Sequence, residues 1–224
     1  VSRRNAADGV VLGLFDPQQV RVIRSGIDLA AFRHPSGGAA VRRELGIPEQ
    51  APVVVQVSCF KPQKAPERFV RAAALVSALC PEAHFLLVGD GVLRPQLGLL
   101  GRLHLPGWRR DVPSVLAAAS VATLTSRFEG LPRVAVEALA AGVPVVAMAV
   151  EGVEEVVRDG VDGFVVREGD VAALADRVTL LLRDGTLRAS MAARAGETVA
   201  EWDRDVMVRQ QEELYGELLW RRLN

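Results

Sequence analysis

The chain has 224 residues, 50% hydrophobic and 24% charged, with 27 basic side chains against 27 acidic ones. That is enough chain to bury one sizeable core, and the balanced charge excludes a net field that would draw it to nucleic acid or an anionic membrane. Two cysteines, Cys59 and Cys80, exclude a disulfide framework and point to a reducing cytoplasm with two buried thiols, and no apolar run approaches the ~20 residues that span a bilayer.

In chain order, residues 1–33 hold a polar helix-like piece and then VRVIRSGIDLAAF, which predicts a strand and a turn at Gly26. The opening at Val1, with no strand-rich start, leads us to expect a missing amino-terminal portion. HPSGG, 34–38, is predicted to be a flexible break. Four short apolar runs follow: VVVQVS at 53–58, HFLLVG at 84–89, VATLTS at 121–126 and VPVVAM at 143–148. RLHLPG at 102–107 and GFVV at 163–166 are shorter strand patterns. Between them lie predicted helices: 66–80 opens on Pro66, 111–119 on an Asp111 cap and 132–141 on Pro132. Residues 170–223 read as helix with breaks near Gly185 and Trp202. The last piece carries apolar residues at roughly helical spacing. It docks on its own domain, a partner domain or a membrane surface, with protein docking favoured.

Continuous apolar strands alternating with helices predict a parallel sheet covered on both faces. The fold class is therefore α/β, a Rossmann-like doubly wound parallel sheet over residues 34–200 with a C-terminal helical extension.

In such a sheet ligands bind beyond the carboxyl ends of the strands. The loops leaving those ends are SCFKPQKAP, GDGVLRP, SRFEGLP and AVEGVEE. Two of them feed a helix through a proline, which leaves first-turn amides to face an anion. Only Lys61 and Lys64 are lysines among the 27 basic residues, so Lys64, two residues before Pro66, is read as a phosphate ligand rather than as surface filler. Glu129 sits in the loop before Pro132, and Glu137 sits inside an otherwise apolar helical run from Val134 to Ala141. At ~1.5 Å rise per residue the two carboxylates stand roughly 7–8 Å apart along the helix axis.

A buried carboxylate needs partners. Two readings of Glu137 stand level on spacing alone: contact with hydroxyls of a ligand, or a salt bridge to an arginine such as Arg109 or Arg127. The same separation also suits an inverting glycosidase, though such an enzyme needs no phosphate cradle. His34, His84 and His104 are scattered without ligand spacing, so no metal site is read. Neither a G-x-x-x-x-G-K-S/T loop nor G-x-G-x-x-G occurs.

FEGLPRVAVEALAAGVPVVA followed by EEVVRDGVDGFVV strongly resembles the signature of the family-four (group 1) retaining glycosyltransferases, two-domain enzymes of the GT-B fold. IRSGIDLAAF, LGIPEQAPVVVQVSCFKPQKAP, LLVGDGVLRPQL and LPGWRRDV fall in the family's order, so the resemblance covers most of the chain. It implies a carboxy-terminal half that binds a nucleotide-sugar donor such as a UDP- or GDP-sugar and needs no further cofactor. Glu129 would contact the transferred sugar, and Lys64, with the amides of Gly130 and Leu131, would hold the diphosphate. Glu137 would bond the ribose hydroxyls, while Ser58, Cys59, Gly89, Asp90 and Gly107 would line the donor site.

The implied reaction is hexosyl transfer with retention to a glycan or lipid-linked acceptor. The expected setting is bacterial envelope or exopolysaccharide assembly in the cytoplasm, at the inner face of the membrane if there is peripheral contact. Residues 1–33 then resemble the end of an amino-terminal domain and the crossover, and 201–224 the helix that packs back toward that domain. A non-catalytic binding module that needs a partner chain and a GT-B epimerase are the alternatives. Three positions depart from the family pattern. Ser58 and Cys59 stand where Gly-Arg is common, leaving Lys64, alone or with Arg109 or Arg110, to carry the phosphate charge. Ala65 stands where glycine is usual, and the segment between Leu97 and Arg102 is short.

Overall fold

A computed structural model of the chain describes residues 2–98 and 101–223, without the side chains of Thr198 and 221–223. Six parallel strands form one sheet: β1 (Val53–Val57), β2 (His84–Val88), β3 (Leu103–His104), β4 (Val121–Leu124), β5 (Val145–Met148) and β6 (Gly163–Val166). Their order is β3-β2-β1-β4-β5-β6, so the chain reverses direction across the sheet between β1 and β4, where Val54 pairs with Val121 and Val55 with Ala122. A doubly wound sheet opens its ligand crevice at this reversal.

The strands are continuous apolar runs because helices cover both faces. On one face α3 (Pro66–Leu79) and α6 (Val171–Arg183) bury Phe69, Val76, Leu174 and Val178 against Phe85 and Val146. On the other, α2 (Gly38–Glu44), α4 (Val112–Ala117) and α5 (Arg133–Ala140) pack Val41, Leu116, Val136 and Leu139 against Val55, Leu86 and Val145. The helices that follow β1 and β4 thus diverge to opposite faces and leave their first turns flanking the crevice. After α6 the chain continues as α7 (Gly185–Thr198) and α8 (Arg204–Leu223). Asp170 and Asp184 cap α6 and α7 by accepting from the amides of Ala173 and Leu187. The expected breaks near Gly185 and Trp202 are therefore present.

Several expectations are corrected. The segment expected as a strand before Gly26 forms none. It runs instead beside α8, whose Gln210 and Leu214 line a cleft with Arg21 and Ile23. Ile27 makes an isolated bridge to Asp203, with Ile27 N–H donating to Trp202 O at 2.9 Å and Arg204 N–H to Ile27 O at 2.9 Å. Gly26 is required there, because a Cβ would lie 2.5 Å from Arg204 Cα. Arg24 lies 4.3 Å over the buried Trp202 ring and pairs with Glu155 and Glu201. Ile27, Leu29 and Phe32 belong to the core of the sheet domain.

HPSGG is not a break throughout, since its last residue, Gly38, opens α2. Gly37 adopts φ 91°, and a Cβ on Gly38 would lie 2.4 Å from Ala117 O, so the glycines let α2 pack tightly on α4. Asp111 precedes α4 but makes no side-chain cap; its carboxylate is taken by Arg109 instead. Cys80 is buried, whereas Cys59 is exposed. The polar opening piece is α1 (Arg3–Val11), and its Asn5 donates to Glu151. On α8, Tyr215, Leu218 and Leu219 are exposed. The shortened segment between Leu97 and Arg102 includes 99–100, which lie outside the described residues. No helix among the described residues is long and apolar enough to cross a membrane.

Candidate active site

The loop after β1 carries Ser58 to Ala65, and the loop after β4 carries Thr125 to Pro132. Three contacts stitch them together: Arg127 N–H donates to Gln63 O at 2.8 Å, Gln63 Nε2 to Phe128 O at 3.0 Å, and Lys64 Nζ to Glu129 Oε1 at 2.5 Å. Glu129 is buried, its side chain 4% exposed, and Lys64 is partly open. Ser126, itself buried, also donates to Glu129 Oε1, at 2.6 Å.

Below this pair the buried Thr125 hydroxyl has three acceptors in reach, Gln56 Oε1 at 3.0 Å and the carbonyls of Lys64 and Ala65 at 3.1 Å each. Having one proton, it serves one of them at a time. The carbonyls it meets belong to the turn that enters α3, where Ala65 has φ 45° and ψ 54°. That left-handed conformation suits glycine, and an alanine there carries some strain.

The loop after β2 is held against the loop after β1 by close backbone approach. Gly89 has φ 132°, and a Cβ there would lie 1.9 Å from Ser58 O; one on Gly91 would lie 2.6 Å from Phe60 O. Gly89 N–H donates to Gly107 O at 2.9 Å, and Phe60 N–H to Asp90 O at 2.8 Å. The glycines of GDG thus form a packing joint that places Asp90, Gly107, Ser58 and the exposed Cys59 on one rim. Ser58 Oγ is buried without a partner among the described residues. The Asp90 carboxylate accepts from its neighbour Gly91 N–H at 2.7 Å and lies 3.6 Å from Arg94.

Glu137 lies on the first turns of α5. No hydrogen bond or ion pair engages its carboxylate among the described residues, and burial pushes its pKa above the ordinary value, with Arg133 opposing. Neither arginine considered as a structural partner is available. Arg109 is taken by Glu44 at 2.6 Å and Asp111 at 2.7 Å, and Arg127 by Glu67 at 3.1 Å. The Asp111 and Glu44 hydrogen bonds raise the Arg109 pKa and lower those of both acids. Arg109 is therefore not a spare phosphate ligand, and Arg110 lies 5.5 Å over Trp108. At the start of α5 the amides of Gly130 and Leu131 donate to no acceptor among the described residues.

The loop after β5 completes the crevice. Gly152 has φ 77°, and a Cβ would lie 2.7 Å from Gly130 O. This glycine packs the third loop against the second. Sequence reasoning did not single out Gly152, Ser126, Thr125 or Gln56. The turn signal of a glycine in AVEGVEE was visible for the first; a serine, a threonine and a glutamine gave none. His84 and His104, read as scattered, instead meet across β2 and β3, with Nδ1 and Nε2 2.9 Å apart and the rings stacked. They lie away from the crevice, and among the described residues no group of three or more His, Cys, Asp or Glu is placed to hold a metal.

A six-stranded all-parallel sheet covered by helices on both faces is the Rossmann-like architecture found in GT-B glycosyltransferases. Residues 39–198 match the family model described as glycosyl transferases group 1, and the chain belongs to that family. It is 37% identical to the D-inositol 3-phosphate glycosyltransferase of Salinispora arenicola over 85% of this chain and 48% of that one. It is 31% identical to the UDP-Gal:alpha-D-GlcNAc-diphosphoundecaprenol alpha-1,3-galactosyltransferase of Escherichia coli over 77% of this chain and 47% of that one. Among solved structures, Anabaena HepE in complex with UDP-glucose superposes with a TM-score of 0.84 at 27% identity, covering 96% of this chain and 62% of that one. The chain spans about half the length of the curated relatives it matches.

Proposed function

We propose that the crevice between the loops after β1 and β4 binds a nucleotide-sugar and that the protein transfers its hexose, with retention, to a glycan or lipid-linked acceptor. The observation that carries this reading is the state of Glu137. A half-buried carboxylate without a protein partner among the described residues, on a helix preceded by the unengaged amides of Gly130 and Leu131, calls for a ligand that offers hydroxyls on one side and an anion on the other. A nucleoside diphosphate sugar offers both. The ribose diol meets Glu137, the diphosphate meets Lys64 and the amides of Gly130 and Leu131, and the sugar meets Glu129. Asp90, Gly107, Ser58 and Cys59 border the base. The HepE structures are complexes with UDP and UDP-glucose, which supports a donor of this class.

The chemistry asked of these residues is positioning and charge stabilisation. Lys64 and the amides offset negative charge growing on the departing diphosphate, and that diphosphate accepts the acceptor's proton. We assign residues 34–200 to the donor domain and place the acceptor pocket in an amino-terminal domain that 1–33 and 201–224 adjoin. The setting we propose is envelope or exopolysaccharide assembly at the cytoplasmic side of a membrane.

Calorimetric titration with UDP- and GDP-sugars, followed by transfer assays with and without an amino-terminal half, tests the reading. Binding by this chain and turnover only with the added half are expected. Turnover by this chain alone refutes the half-site assignment, and absence of binding by either donor class refutes the donor site.

A further inference from the structure

The contacts of Glu129 are uneven. Both protein donors, the Lys64 ammonium at 2.5 Å and the Ser126 hydroxyl at 2.6 Å, converge on Oε1. Oε2 has no partner among the described residues. Two donors on one oxygen lock the plane of the carboxylate and leave the other oxygen as the acceptor for a hydroxyl. The adjacent residue completes the device: the Thr125 hydroxyl lies under the carbonyls of Lys64 and Ala65, so consecutive side chains brace the two members of the ion pair.

Ser126 is 1% exposed and sits three residues before Glu129, with Arg127 N–H between them fixed to Gln63 O. The hydroxyl is thus built into the loop, and a solvent-borne water does not easily take its place.

We propose that Ser126 is a positioning residue that orients the Glu129 carboxylate so that Oε2 meets the transferred sugar. The inference rests on the donor-site reading and adds to it a division of labour. Lys64 serves both Glu129 and the diphosphate, whereas Ser126 serves Glu129 alone. Its loss is then felt by the sugar and not by the nucleotide. A serine that merely fills a polar hole would weaken the whole loop, including the Gly130 and Leu131 amides, and would affect both parts of the ligand equally.

The test is calorimetric titration of the wild-type chain and its Ser126→Ala variant with two pairs of probes, UDP-glucose against UDP and GDP-mannose against GDP. In the pair that the wild type binds, Ser126→Ala should weaken the sugar nucleotide roughly tenfold and leave the diphosphate within about twofold. Ser126→Thr, which keeps the hydroxyl, should restore the sugar nucleotide. Equal losses for both probes, no loss for either, or failure of the threonine to restore affinity while UDP or GDP still binds would overturn the assignment. Retained diphosphate binding also reports that the variant is folded. If Ser126→Ala does not fold, Ser126→Cys replaces it: a weakly donating thiol should give a smaller loss confined to the sugar nucleotide, and a loss shared by both probes overturns the proposal. A wild-type chain that binds neither pair instead refutes the donor site itself, which separates the two failures.

Discussion

Replacing Glu137 with glutamine separates ligand binding from folding, because the two should move in opposite directions. Burial raises the Glu137 pKa in the folded chain, with Arg133 opposing, and no ion pair engages its carboxylate among the described residues. A carboxyl whose folded value lies above its unfolded one contributes stability that is full below the ordinary carboxyl range. That stability is lost as pH rises through the folded value. Above the folded value the free chain holds a charge that its surroundings resist, and there Glu137→Gln should raise its Tm, with the difference shrinking as pH falls toward the ordinary value of 4.5.

The ligand should respond in the other direction. Hydrogen bonds to a charged group contribute about 1.5–3 kcal/mol, so their loss should weaken nucleotide binding by roughly 10- to 150-fold. Thermal melts at neutral and acid pH give the first quantity, and calorimetric titration with UDP or GDP gives the second. A glutamine variant with lowered Tm and unchanged affinity would refute the reasoning and return Glu137 to a structural role.

Lys64→Ala leaves the buried Glu129 without its cation. Because Lys64 is partly open to solvent, the expected loss of stability is about 1–3 kcal/mol rather than the larger cost of a fully buried pair. Diphosphate affinity should fall at least about tenfold; chemical denaturation and titration check the two. Gly89→Ala places a Cβ 1.9 Å from Ser58 O at a φ of 132°, so we expect a loss of more than about 2 kcal/mol or outright misfolding, read from expression and melting. His84 and His104 are both depressed from their ordinary 6.5, His84 by burial and then by His104, Arg102 and Arg42, and His104 by burial. Their contribution is full above 6.5 and lost as pH falls through the folded values, so Tm should drop on mild acidification; His104→Gln should flatten that limb, and an unchanged slope contradicts the pairing.

The strands were legible because a sheet covered on both faces makes each strand a short continuous apolar run, and VVVQVS and VPVVAM match β1 and β5 closely. VRVIRSG misled for the converse reason: its alternation fits a strand, but its neighbour is the helix α8 rather than another strand. Helix α2 was missed because it is short and opens on the Gly37–Gly38 pair, which sequence reads as a break. In the site, Lys64 was conspicuous by the rarity of lysine, and Glu137 by its apolar surroundings. Ser126 and Thr125 were not conspicuous, since their meaning lies in which oxygen each reaches. Spacing left Glu137 balanced against a salt bridge to an arginine such as Arg109 or Arg127, and those two arginines are engaged elsewhere.

The most direct test of the central claim is a crystal structure of this chain with UDP-glucose or GDP-mannose bound. The account predicts the diphosphate against Lys64 Nζ and the amides of Gly130 and Leu131, the ribose hydroxyls on Glu137 and a sugar hydroxyl on Glu129 Oε2. A nucleotide seated anywhere other than the crevice between the loops after β1 and β4, or seated there with Glu137 turned away from the ribose, would contradict it.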